Sequence, residues 1–95
     1  MTIPDYLKEQ QEKNKANEEV ESLRRNYSIM ISLYTSESCT ESEYYNMLLR
    51  QEDQARALQK KYSKMPSIKK KLNDHLNELA TAINNIKQSG FTGNV

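Results

Sequence analysis

Apolar residues recur along this chain at alternating steps of three and four, and three stretches carry the pattern. In the first, Ala16, Val20, Leu23, Tyr27, Met30 and Tyr34 form a heptad seam, the spacing that lays one continuous stripe along a helix. The second runs through Leu48, Gln51, Ala55, Leu58, Tyr62 and Met65. The third, which is the cleanest, runs through Ile68, Leu72, Leu76, Leu79, Ile83 and Ile86.

Local signals divide the three. Thr2, Pro4 and Asp5 open the first helix, since proline and an acid suit a first turn. Thr40 and Glu43 form a T-x-x-E capping box ahead of the second. Pro66 ends the second helix or enters the first turn of the third, with Ser63 or Ser67 as cap. Ser89-Gly90 stops the third, with Phe91 placed to fold back on Ile86. The pattern therefore predicts an all-α fold, a three-helix antiparallel bundle or helical hairpin with coiled-coil-like seams. Its helices cover about 3–35, 41–64 and 67–89 in a single domain, 1–91, followed by a flexible tail, 92–95.

Two features complicate this reading. Between Lys8 and Glu19 only Ala16 is apolar, so the long first helix overhangs its partners as a polar arm suited to docking on a second copy or another protein. Residues 27–34, YSIMISLY, are apolar at almost every position, and Tyr27, Ile29, Ile31 and Leu33 also fit a strand's period of two. A lone strand has no partner for its backbone, so a helix buried on more than one side is the expectation.

Composition agrees with helices. Among 95 residues, hydrophobic types make up 36% and charged types 28%, with two glycines, two prolines and no tryptophan; turn-rich β folds need more breakers. A chain of this length buries a thin core, which favours self-association or a partner. Cys39 is the single cysteine and His75 the single histidine. They exclude an internal disulfide and a Cys/His zinc site within one chain. The absence of staples suits a reducing cytosol, so a cytoplasmic location is expected. No apolar run follows a basic N-terminal region, and none is long enough to cross a bilayer, so neither a signal peptide nor a membrane role is expected.

Charge changes the picture locally. Residues 54–73 hold Arg56 and six lysines with no acid, although the net charge of the whole chain is only +1. Arg56, Lys60 and Lys64 form an i,i+4 row, and Lys69, Lys70 and Lys71 follow the turn. Lys60, Lys61 and Lys64 suit the negative end of a helix, whereas Lys69–Lys71 oppose the dipole at the start of the next. Two readings follow: lysines that are solvated or neutralised by acids of helix one, or a surface for an anionic partner. Low net charge and the lack of any nucleic-acid motif argue against a dedicated DNA or RNA binder.

Six of the seven aromatic residues are tyrosines, a type enriched where one end is packed and the other wet. Tyr34, Tyr44 and Tyr45 flank the first loop. Consecutive Tyr44 and Tyr45 cannot both face one core, and Leu48 and Leu49 repeat the ambiguity one turn later. The expected partner-binding face is therefore Tyr34, Tyr44, Tyr45 and Leu49. In the loop, Ser38 and Thr40 match a loose acid-directed phosphorylation pattern.

Catalysis finds little support. Glutamates beside Cys39 disfavour a thiolate, and Asp74, His75 and Glu78 spread around their helix instead of converging on a metal. No enzyme activity and no cofactor are expected. The expected function is binding of another macromolecule, as an adaptor, assembly chaperone or inhibitor, with self-association as a further use of the same surfaces. The alternative is a binder of nucleic acid or a small phosphorylated ligand through Lys60–Lys71, as an oligomer.

Overall fold

The computed structural model describes residues 4–88 and contains three helices, α1 (Asp5–Thr35), α2 (Glu41–Lys61) and α3 (Pro66–Gln88). They form an all-α, up-down-up bundle in which α2 and α3 pack most extensively and α1 closes the bundle mainly against α2. Residues 27–34 are helical throughout, which resolves the strand alternative. The expected stop at Gly90 and Phe91, the tail at 92–95 and the opening at Thr2 lie outside the described residues.

The caps account for the boundaries. Pro4 precedes α1 with an extended ψ of 147°, and its carbonyl accepts from the N–H groups of Leu7 and Lys8. At the other end the N–H of Glu37 reaches the Tyr34 carbonyl at 3.1 Å and that of Ser38 the Leu33 carbonyl at 2.8 Å. These are the paired bonds of a Schellman stop. Glu37 occupies its left-handed position at φ 60°, a place that favours glycine. Three residues later Thr40 starts α2 with the expected reciprocal box: its hydroxyl accepts from Glu43 N–H, and its own N–H donates to the Glu43 carboxylate.

Helix α2 ends at Lys61, three residues before the expected Lys64. Tyr62 leaves helical geometry at φ −110°, ψ 36°, and Met65 N–H closes a turn on its carbonyl. Proline explains the early exit: Pro66 has no N–H to give the Tyr62 carbonyl and its ring would clash with that carbonyl in a continuing helix, while its own fixed φ suits the first position of a helix. Pro66 accordingly opens α3.

Every seam residue read from the sequence is buried or partly buried. The interior divides into two apolar clusters. One, near the α2–α3 turn, contains Ala16, Val20, Leu23, Ala55, Tyr62, Ile68 and Leu72. The other, near the α1–α2 loop, contains Met30, Tyr44, Leu48, Leu79, Ile83 and Ile86, with Tyr27, Tyr34, Tyr45 and Met47 packed around it. Each fully buried leucine or isoleucine contributes about 1.5–3 kcal/mol relative to exposure.

A polar bridge lies between the clusters. Gln51 donates from Nε2 to the Leu23 carbonyl at 3.1 Å, and its Oε1 lies 2.9 Å from His75 Nε2. Because Gln51 uses its amide nitrogen as donor, its oxygen is the acceptor and His75 carries its proton on Nε2. Tyr27 meets the imidazole edge to face at 5.1 Å. One bridge thus ties all three helices together and fixes their relative height.

Candidate interaction surfaces

The first eleven residues of α1, Asp5–Lys15, are all exposed, and burial starts abruptly at Ala16. At 1.5 Å per residue this exposed stretch is about 16 Å long. The sequence explains it: a helix-compatible stretch with no apolar stripe has nothing to bury. The i,i+4 ion pairs available to it and to the rest of α1, Glu9–Lys13 and Glu21–Arg25, are not closed to 4.0 Å. Gln10 and Asn14 share a side-chain hydrogen bond instead. The arm begins where α1 passes the α2–α3 turn, and a cleft of about 380 Å³ opens between Glu12 and Lys15 on one side and Lys61, Tyr62, Ser63, Lys64 and Met65 on the other.

The lysines of the turn divide by partner. Lys61 Nζ lies 3.0 Å from a Glu19 carboxylate oxygen, and the Tyr62 hydroxyl donates to the other oxygen at 2.7 Å. Tyr62's hydrogen bond, aided by Lys61, holds Glu19 below the usual carboxylate range, and the same carboxylate raises Lys61 above an ordinary lysine. Lys71 donates to Asn17 Oδ1 at 2.8 Å. Lys61 and Lys71 therefore clasp α1 from α2 and α3, but only Lys61 meets an acid of helix one; the partner of Lys71 is a neutral amide. On the side away from α1, Gln59 and Asn73 are hydrogen-bonded to each other. Around that bridge Arg56, Lys60, Lys69 and Lys70 are exposed, with Lys64 at the tip. Apart from a long 4.0 Å approach of Arg56 to Glu52, none of these five is in an ion pair among the described residues.

The tyrosine face is rearranged relative to expectation. Tyr44 is only 6% exposed and stacks on Tyr34 with centroids 4.2 Å apart and rings within 4° of parallel. Burial pushes its phenol pKa up. Tyr44 is thus a core residue, and Tyr34 and Tyr45 are half-buried. One of the consecutive tyrosines is partly exposed, as expected: Tyr45, beside exposed Leu49, although it packs against the same cluster that holds Tyr44. The expectation that residues 27–34 are buried on more than one side is not met: away from the seam Ile29 is 55% exposed, and Leu33, one turn on, is also exposed. The same all-apolar run that raised the strand alternative contained the signal of that outward face.

His75 is only 2% exposed, deeper than a seam-edge position suggests. Burial lowers its pKa, with Arg24 adding to the effect and Glu78 opposing it. Its Nδ1 is buried with no hydrogen-bond partner among the described residues. Cys39 packs at the loop cluster, whereas His75 sits in the bridge between the clusters. No group of three or more His, Cys, Asp or Glu side chains among the described residues is placed to hold a metal. The Thr40 hydroxyl is occupied in the capping box, and Ser38 Oγ lies 2.9 Å from Ser36 Oγ. None of the described helices is long and apolar enough to cross a membrane. No protein-family model matches this chain, and no curated protein or solved structure matches it either.

Proposed function

We propose that this chain is a non-enzymatic protein-binding protein, an adaptor, assembly chaperone or inhibitor of a larger complex, that docks through the loop half of its bundle. The observation that carries this reading is the apolar surface left there. Ile29 and Leu33 are i,i+4 neighbours on the outside of α1, Ile31 lies on the other flank of that helix and Leu49 on α2, and all four are exposed. They lie in a segment with no lysine or arginine between residues 26 and 49. Interfaces concentrate their energy in such apolar and aromatic anchors. With Tyr44 in the interior, the docking set becomes Tyr45, Leu49, Ile29 and Leu33, and the lysine turn supplies long-range steering.

Affinity capture from the source cell, with wild type beside an Ile29→Asp, Leu33→Asp variant, tests this. A protein held stoichiometrically by wild type and lost by the variant, at unchanged helicity and melting temperature, is the expected result. Equal retention by both sinks the reading.

A second reading rests on Lys60, Lys64, Lys69 and Lys70, exposed and without ion pairs among the described residues. It makes the turn a site for nucleic acid or a phosphorylated ligand. Titration of a labelled DNA duplex would then give a log–log salt slope of about −3, corresponding to three or four neutralised phosphates.

A further inference from the structure

The end of the bundle opposite that docking surface carries two complementary patches that a single molecule does not bring together. The first is the arm. Asp5, Glu9 and Glu12 recur at steps of four and three, which places them on one side of a helix, and the next steps of four lead to buried Ala16 and Val20. The arm's bundle-facing side is therefore lined with carboxylates, while Lys8, Lys13 and Lys15 occupy its flanks. None of the three acids is in an ion pair among the described residues. The second patch is the far face of the α2–α3 turn, with Arg56, Lys60, Lys69 and Lys70 around the Gln59–Asn73 bridge.

The arm cannot reach that face in its own molecule. Lys61–Glu19 and Lys71–Asn17 hold α1 against the opposite side, and the arm continues straight past the turn. Both patches nevertheless lie at the same end of the bundle, which is the condition for a two-fold, isologous contact. Their spacings match. Asp5 and Glu9 are about 6 Å apart along the arm, and Arg56 and Lys60 are the same distance apart along α2.

We propose that the partner of this end is a second copy of the chain, docked turn to turn, with each arm lying across the far face of the other copy's α2–α3 turn. Asp5 then lies over the Arg56 level and Glu9 over the Lys60–Lys70 level, and the two arms embrace the joint from opposite sides. Tyr6, 70% exposed on the arm, contributes the apolar part of the contact.

Light-scattering mass and sedimentation of the intact protein decide the matter. Wild type at about 100 µM and low salt is expected to give twice the 11.1 kDa monomer. Dissociation should become at least about tenfold easier at high salt, where exposed charges are screened. Asp5→Lys with Glu9→Lys, and separately Lys60→Glu with Lys70→Glu, should each give folded monomers, because all four positions are exposed and a charge reversed against a helix dipole costs only about 0.3–1 kcal/mol. Combining the two sets should restore the dimer. A monomeric wild type, a dimer indifferent to either set, or a combined variant that stays monomeric would each overturn the proposal. So would mass that climbs past the dimer with concentration, which would mean head-to-tail pairing of the basic turn with the glutamate-rich loop. Partner capture at Ile29 and Leu33 is read at the other end of the molecule, so either proposal can fail without the other.

Discussion

The two halves of this bundle solve the same packing problem with different residues, and each leaves a different surplus on its surface. Near the α2–α3 turn the core is built on Ala16 and Ala55, both fully buried, which let the helices approach closely around Val20, Ile68 and Leu72. Near the α1–α2 loop the core is filled by Met30, Tyr44, Leu48, Leu79 and Ile83, with three further tyrosines and Met47 half inside. Small residues close the first half, and its unused surface is charge. Bulky and flexible residues fill the second, and apolar side chains spill outward at Ile29, Leu33 and Leu49. A thin core can thus be sealed at one end and left adhesive at the other, with a glutamine–histidine bridge marking the change.

The largest expected effects break one half at a time. Leu72→Ala, deep in the turn half, should cost about 3–5 kcal/mol, because its cluster is built largely on small and β-branched residues, Ala16, Val20, Ala55 and Ile68, that readjust little around a cavity. Met30→Ala in the loop half should cost nearer about 2 kcal/mol, since tyrosines and Met47 can readjust. Chemical denaturation of the two variants measures the difference, and equal losses would mean that the two halves respond alike to a cavity.

An intermediate effect belongs to the bridge. Gln51→Leu strands the His75 Nε2–H and should cost about 1–3 kcal/mol, whereas Gln51→Leu with His75→Leu should recover most of it. His75 also gives the protein a pH signature. Its pKa is lowered in the folded state, so the unfolded chain takes up the proton first. Stability is then complete above the ordinary histidine pKa of about 6.5 and is lost as pH falls from there toward the folded value. Glu19, also lowered by its Tyr62 and Lys61 contacts, loses its contribution only in the more acidic carboxylate range. Melting temperatures from pH 8 down to pH 5 should therefore fall in wild type and stay level in the doubly apolar variant.

The smallest effect sharpens the loop half alone. Thr40→Ala removes the capping box of α2 and should cost about 1 kcal/mol. Amide exchange should quicken at Glu41–Tyr44 with no change at the lysine turn.

Much of this was legible in the chain. The heptad steps identified the seams, the T-x-x-E box set the start of α2, and the run from Lys8 to Lys15 foretold an exposed arm. What escaped depends on facts that periodicity does not carry. Tyr44 and Tyr45 have equal claims on the core in one dimension, and only the approach of Tyr34 across the loop awards it to Tyr44. Gln51 fell in a seam and His75 beside one, but their hydrogen bond depends on the height at which α2 and α3 pass each other. The lysines looked like one cluster because they are contiguous in sequence. In space the α2–α3 turn sorts Lys61 and Lys71 to one side and Lys60, Lys69 and Lys70 to the other.

The projecting arm has a hydrodynamic consequence. The molecule measures 58 × 22 × 17 Å, with a radius of gyration of 16.3 Å, whereas a compact chain of this length would have about 12 Å. A rod of this shape drags like a heavier sphere, so a single copy travels early through a sizing column and passes there for a pair. Its rotation is correspondingly unequal: amide vectors along the bundle axis relax more slowly than those across it, and that ratio changes sharply if two rods join end to end.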